Sequence, residues 1–159
     1  MTAQDTGAAA RQSPPTTIRP PRRSVVLTVV ALGGGIGAAA RYAASLRWPT
    51  PGGVFPWTTF WVNAAGCAVI GVFLAAVTEA RAAPPLLRPF FGTGVLGGFT
   101  TFSTYAVDIE RLIEAGHPRA ALAYLAATLV AAGAAVWCAV AATRKLIKRR
   151  RRVRAGGPL

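Results

Sequence analysis

Three stretches of this sequence carry no charged side chain over 18 residues or more: 57–77 with 21 residues, 90–107 with 18 and 120–143 with 24. A fourth, 24–46, is interrupted only by Arg41. A helix needs about 20 apolar residues to cross the hydrocarbon of a bilayer. Apolar runs this close together leave little room for any other architecture. The fold class they predict is all-α, a four-span transmembrane helical bundle. Composition agrees, because charged residues make up 14% of the 159, against about 25% in soluble domains. A soluble enzyme, a disordered protein and a disulfide-rich secreted module are all poor fits. Ala38-Ala39-Ala40 follows a basic leader and has the small residues of a signal-peptide cleavage site. Three further spans follow it in any case, so a membrane protein results either way.

A net charge of +13 suggests nucleic acid until it is mapped. Residues 1–23 hold Arg11, Arg19, Arg22 and Arg23 against Asp5. They are rich in Pro, Thr, Gln and Ser, and are expected to form a disordered basic tail. Residues 144–159 hold eight basic side chains and no acid, and are expected to form a basic cytoplasmic tail. The body, 24–143, is almost neutral, with six arginines against Glu79, Asp108, Glu110 and Glu114. No aromatic residue is interleaved with the basic ones, and no nucleic-acid-binding motif is present. The charge therefore reads as an orientation signal. Four spans put both termini and the 78–89 loop on one side, with thirteen nearby basic residues against Arg47, Arg111 and Arg119 on the other. The positive-inside rule then puts both termini in the cytoplasm, in a multi-pass protein of the cell membrane.

Within the spans, chemistry concentrates at a few positions. The third span reads GTGVLGGFTTFSTY over residues 92–105, with four glycines and five serine or threonine hydroxyls. Glycine costs a helix about 1 kcal/mol relative to alanine, and threonine is also unfavourable. Close helix packing through small residues is one reading. The other, which the combined glycine and hydroxyl content favours, is a broken third helix, tolerated where it is buried or lines a polar cavity. Asn63 lies at the centre of span two, either as an interhelical hydrogen-bonding group or as part of a pathway. Arg41 lies five residues from the end of span one, close enough to snorkel toward water. Phe102 and Tyr105 are three apart with Ser103 between them, and Tyr124 and Thr128 are four apart on span four. Aromatic ring edges carry positive partial charge and can face an anion. Cys67 and Cys138 fall inside spans as packing residues, and His117 is a lone loop histidine. There is no Cys/His cluster and no pair of carboxylates within a span to support enzyme chemistry.

Three segments together resemble the small four-span fluoride channels of the Fluc or CrcB family. They are GGGIGAAARY at 33–42, TTFWVNAAG at 58–66 and GTGVLGGFTTFSTY at 92–105. The resemblance covers residues 25–143 and leaves out both tails. It implies a fluoride-selective channel, not an enzyme, that lowers cytoplasmic fluoride by passive export. It further implies an antiparallel dimer with two pathways and a central structural sodium ion. By position, the backbone carbonyls of Gly97 and Thr100 would hold the sodium. Asn63, Phe102, Ser103, Tyr105, Tyr124 and Thr128 would line the fluoride path, with Arg41 near its entrance. Asp108 falls where an acidic residue often follows the pore motif. The chain departs from the pattern at Tyr105, where the second pore aromatic is usually phenylalanine, and at Ala132, where a second hydroxyl is usual.

A species that inserts both ways should have a weak charge bias, and this one is strongly biased. It is therefore expected to pair with a second homologous subunit of opposite orientation, the alternative being a self-sufficient dual-topology homodimer. Fluoride, the bilayer and this partner are its expected contacts, with no nucleic acid. Two other functions compete. A small multidrug-type exporter needs a membrane carboxylate for proton coupling, and spans one, two and four have none in their centres. A non-transporting subunit would use the glycines and Asn63 only for packing.

Overall fold

The computed structural model describes residues 21–79 and 83–156. Most of the expected N-terminal tail lies outside this range. Every regular element is helical among the described residues. Helix α1 runs Arg23–Arg47 and α2 runs Trp57–Glu79. Helix α3 is wound as a π-helix over Arg88–Leu96 and continues as one α-helical turn, Gly97–Phe99. Helix α4 runs Ser103–Glu114 and α5 runs Pro118–Ala155. Three helices, α1, α2 and α5, are long and apolar enough to cross a bilayer alone. The expected third span is two shorter helices separated by Thr100–Phe102, as its glycine and hydroxyl content suggested.

Local chemistry sets the boundaries. Pro118 occupies the first turn of α5, where its missing N–H costs nothing and its fixed φ suits a helix. Helix α4 ends in a Schellman turn, with Gly116 at φ +79° and the His117 N–H donating to the Leu112 carbonyl at 2.8 Å. Helix α5 continues well beyond its apolar run because Arg and Lys are good helix formers and no Gly or Pro intervenes between Gly133 and Gly156. The π-helical winding of α3 has no counterpart in the sequence signals read above.

Helices pack in parallel pairs. Helix α1 lies along α3 with backbones almost touching, and the pairing is made by glycine. A Cβ on Gly33 would sit 2.5 Å from the Phe90 carbonyl oxygen, and one on Gly37 would overlap the Val95 carbonyl. Opposite them, a Cβ on Gly98 would overlap the Gly34 carbonyl. Helix α2 lies along α5, where a Cβ on Gly71 would meet the Val136 carbonyl oxygen at 2.7 Å. At the end of that pair Arg151 Nη2 reaches Glu79 at 3.1 Å from its carboxylate and 3.0 Å from its carbonyl oxygen. At the opposite end a small core of Tyr105, Leu112, Ala121 and Tyr124 joins α4 to α5, packed by Phe55 and Phe60.

Candidate functional site

The break is held by side chains that replace its lost helical bonds. Asn63, 7% exposed on α2, pairs with the N–H and the carbonyl of one residue of the break. Its Nδ2 donates to the Thr101 carbonyl at 3.0 Å, and its Oδ1 accepts from the Thr101 N–H at 2.8 Å. The Thr101 hydroxyl accepts from the Thr104 N–H at 3.1 Å, the bond that caps the first turn of α4. It also lies 3.1 Å from the Thr104 hydroxyl and 3.3 Å from that of Ser103.

These bonds leave carbonyls at the end of α3 without their usual donors. In an unbroken helix the Thr101 N–H would serve Gly97 and the Thr104 N–H would serve Thr100. Both donors are committed elsewhere. A helix C-terminus is also electronegative. The chemistry of this donor set, neutral oxygens at a helix end, suits a hard monovalent cation. Among the described residues no group of three His, Cys, Asp or Glu side chains is placed to hold a metal ion.

Arg41 spans the break from α1. Its Nε donates to the Gly98 carbonyl at 3.2 Å and its Nη1 to the Thr104 hydroxyl at 3.4 Å, so one guanidinium ties the end of α3 to the start of α4. It borders a cleft of about 220 Å³ lined by Ser45, Thr58, Thr59, Thr101 and Thr104. Tyr42 and Val62 complete its walls, so the cleft mixes hydroxyls with apolar surface.

Phe102 is 77% exposed. Its ring lies 5.8 Å from that of Tyr105, which lies 5.2 Å from Tyr124, which lies 5.2 Å from Phe55. This run of rings leads from the break toward the loop between α1 and α2. Phe102 and Tyr105 touch as expected, but Tyr105 is buried and its hydroxyl donates to the Leu125 carbonyl at 3.0 Å. Tyr124 is fully buried and its hydroxyl donates to Asp108 at 3.4 Å. Arg111 stands 4.0 Å from the same carboxylate. One turn further along α5, Thr128 is 5% exposed and its hydroxyl has no partner among the described residues. Ser103 is exposed.

The structure thus gathers Asn63, Arg41 and Ser103 with the Gly97 and Thr100 backbone around the break. Tyr105, Tyr124 and Thr128 form a second group against α5. Sequence reasoning missed the capping role of Thr101, although a threonine just ahead of an amphipathic helix is a start signal. It also missed Phe55 and Phe60, whose loop-end position gave no hint of the ring contacts.

The family model for "CrcB-like protein, Camphor Resistance (CrcB)" matches residues 28–140. A protein of Streptomyces avermitilis named fluoride-specific ion channel FluC 2 is 65% identical over 127 residues, 80% of each chain. Fluoride-specific ion channel FluC 1 of Streptomyces coelicolor is 60% identical over 150 residues, 93% of this chain and 97% of the relative. Fluoride-specific ion channel FluC 2 of Nocardia farcinica is 52% identical over 127 residues, 75% and 91% of the two chains. Since the matched region holds the broken segment whole and most of each of the four apolar runs, the chain belongs to the CrcB family.

Proposed function

We propose that this protein is a subunit of a fluoride-selective channel, not an enzyme, and that it lowers cytoplasmic fluoride by passive export. The observation that carries the reading is kinship: relatives at 65% and 60% identity over most of the chain bear the name fluoride-specific ion channel. Fluoride is small and strongly hydrated, so a pore must replace its water with donors that do not hold it too tightly. We assign that role to the second N–H of Asn63, the hydroxyls of Ser103 and Thr128, and the ring edge of Phe102. Tyr105 and Tyr124 contribute ring edges, since their hydroxyls are engaged with Leu125 and Asp108. Arg41 stands at the entrance, where its charge raises the local anion concentration.

Counting α3 and α4 together as one interrupted crossing gives four spans. The carbonyls of Gly97 and Thr100 would hold a structural sodium ion, which would supply positive potential to a site of low dielectric. The exposure of Phe102 supports assembly with a second subunit as an antiparallel dimer. We further propose that both termini are cytoplasmic and that the partner is a homologous subunit of opposite orientation.

Liposomes loaded with fluoride and containing the purified protein, alone and with a candidate partner subunit, test the function. Rapid fluoride efflux without chloride efflux is expected. Failure of both preparations to release fluoride would leave the non-transporting reading, and proton-coupled drug flux would favour the exporter.

A further inference from the structure

The charge at the end of α5 is ordered. Beyond Thr143 the helix continues without interruption through Arg144, Lys145, Lys148, Arg149, Arg150, Arg151 and Arg152. Arg151 is turned toward α2, where it grips Glu79. At about 100° per residue, Arg144, Lys148 and Arg152 form one row and Lys145 and Arg149 a second row beside it. The two rows make a stripe whose centre is turned about a quarter of the circumference from Arg151, with Arg144 at its near edge, about 20° from Arg151. All five of these side chains are exposed, and the Glu79 contact fixes the direction in which they point.

Their depth is set by helix geometry. The uncharged run 120–143 has 24 residues and rises about 36 Å, slightly more than a hydrocarbon core of about 30 Å. Residues 144–149 then rise through about the next 8 Å, which is the headgroup layer and its edge. Arg152 is one turn further out, and its long side chain can reach back. Basic rows at this depth face phosphates, and basic clusters next to a transmembrane helix attract anionic lipid.

We propose that this stripe is a docking surface for anionic phospholipid headgroups, recruited around the end of α5 and held against it by Arg144, Lys145, Lys148, Arg149 and Arg152. The contact is separate from ion conduction and depends only on α5 being a span. The full-length protein is placed in nanodiscs of equimolar phosphatidylglycerol and phosphatidylcholine, and the lipids retained after release are counted by native mass spectrometry. Wild type is expected to retain phosphatidylglycerol at least about fivefold over phosphatidylcholine, the factor one cation contributes near an anionic surface. In the variant Lys145→Gln/Lys148→Gln/Arg149→Gln/Arg152→Gln, which keeps Arg144, Arg150 and Arg151, the ratio should fall to less than half of the wild-type value, while Arg111→Gln at the opposite end should keep it. Glutamine is a good helix former, so the extension should stay helical. An equal ratio in wild type, or an undiminished ratio in the quadruple variant, overturns the proposal.

Discussion

Asn63 bears on stability, because one amide completes the hydrogen bonding of the residue that the broken helix leaves bare, and the proposed fluoride path runs beside it. Asn63→Ala should strand a part-buried N–H and carbonyl, at a cost of about 1–3 kcal/mol. Thermal unfolding in detergent should show the loss, and fluoride efflux should fall by about tenfold or more. Tyr105 gives the opposite expectation. Its hydroxyl donates to the Leu125 carbonyl, so Tyr105→Phe should cost about 0.5–1.5 kcal/mol of stability. The ring remains in place, and efflux measured in the same liposomes should stay within about twofold of wild type. A larger fall in efflux would mean that the hydroxyl itself serves the ion. Arg41 shows how one residue can answer to two readings. It was expected near an aqueous entrance, and the structure also uses it to join the two halves of the break.

At the scale of helices, the α1–α3 seam depends on missing side chains. Gly37→Leu should drive α1 off α3, because the new Cβ would collide with backbone that cannot rotate away. Loss of the monodisperse peak in fluorescence-detected gel filtration is expected. Gly35 is exposed with nothing within 4 Å of its would-be Cβ. Gly35→Ala should therefore leave the peak intact and favour the helix by up to about 1 kcal/mol. Neighbouring glycines in one motif thus have unlike roles, and the sequence alone gave no way to distinguish them. The three long spans were legible, because uncharged length is what a bilayer demands. The break was legible too, since four glycines and five Ser/Thr hydroxyls suit a continuous helix poorly. The details were hidden because they depend on approach in three dimensions. Examples are the pairing of Asn63 with Thr101, the commitment of the Tyr105 hydroxyl to α5 and the π-helical turns of α3.

For the whole molecule, the proposed single orientation rests on the charge bias alone. The ends of α2 and α5 meet at the Arg151–Glu79 contact, and the basic extension lies on that side. Reporters fused to either terminus should both read cytoplasmic in nearly all molecules. An even split for the C-terminal reporter would establish a dual-topology homodimer. The pairing of α1 with α3 and of α2 with α5 also has a consequence for biosynthesis. Partners are interleaved along the chain, with Gly33 against Gly94 and Gly71 against Val136. When the first two helices leave the ribosome, they touch each other only lightly and neither has its main packing partner. At about 5–20 residues per second, each must wait roughly 3–12 s for its mate to be made. During that interval the bare glycine faces of α1 and α2 are open to the wrong neighbour. No fragment holding only the first two helices can contain either finished seam.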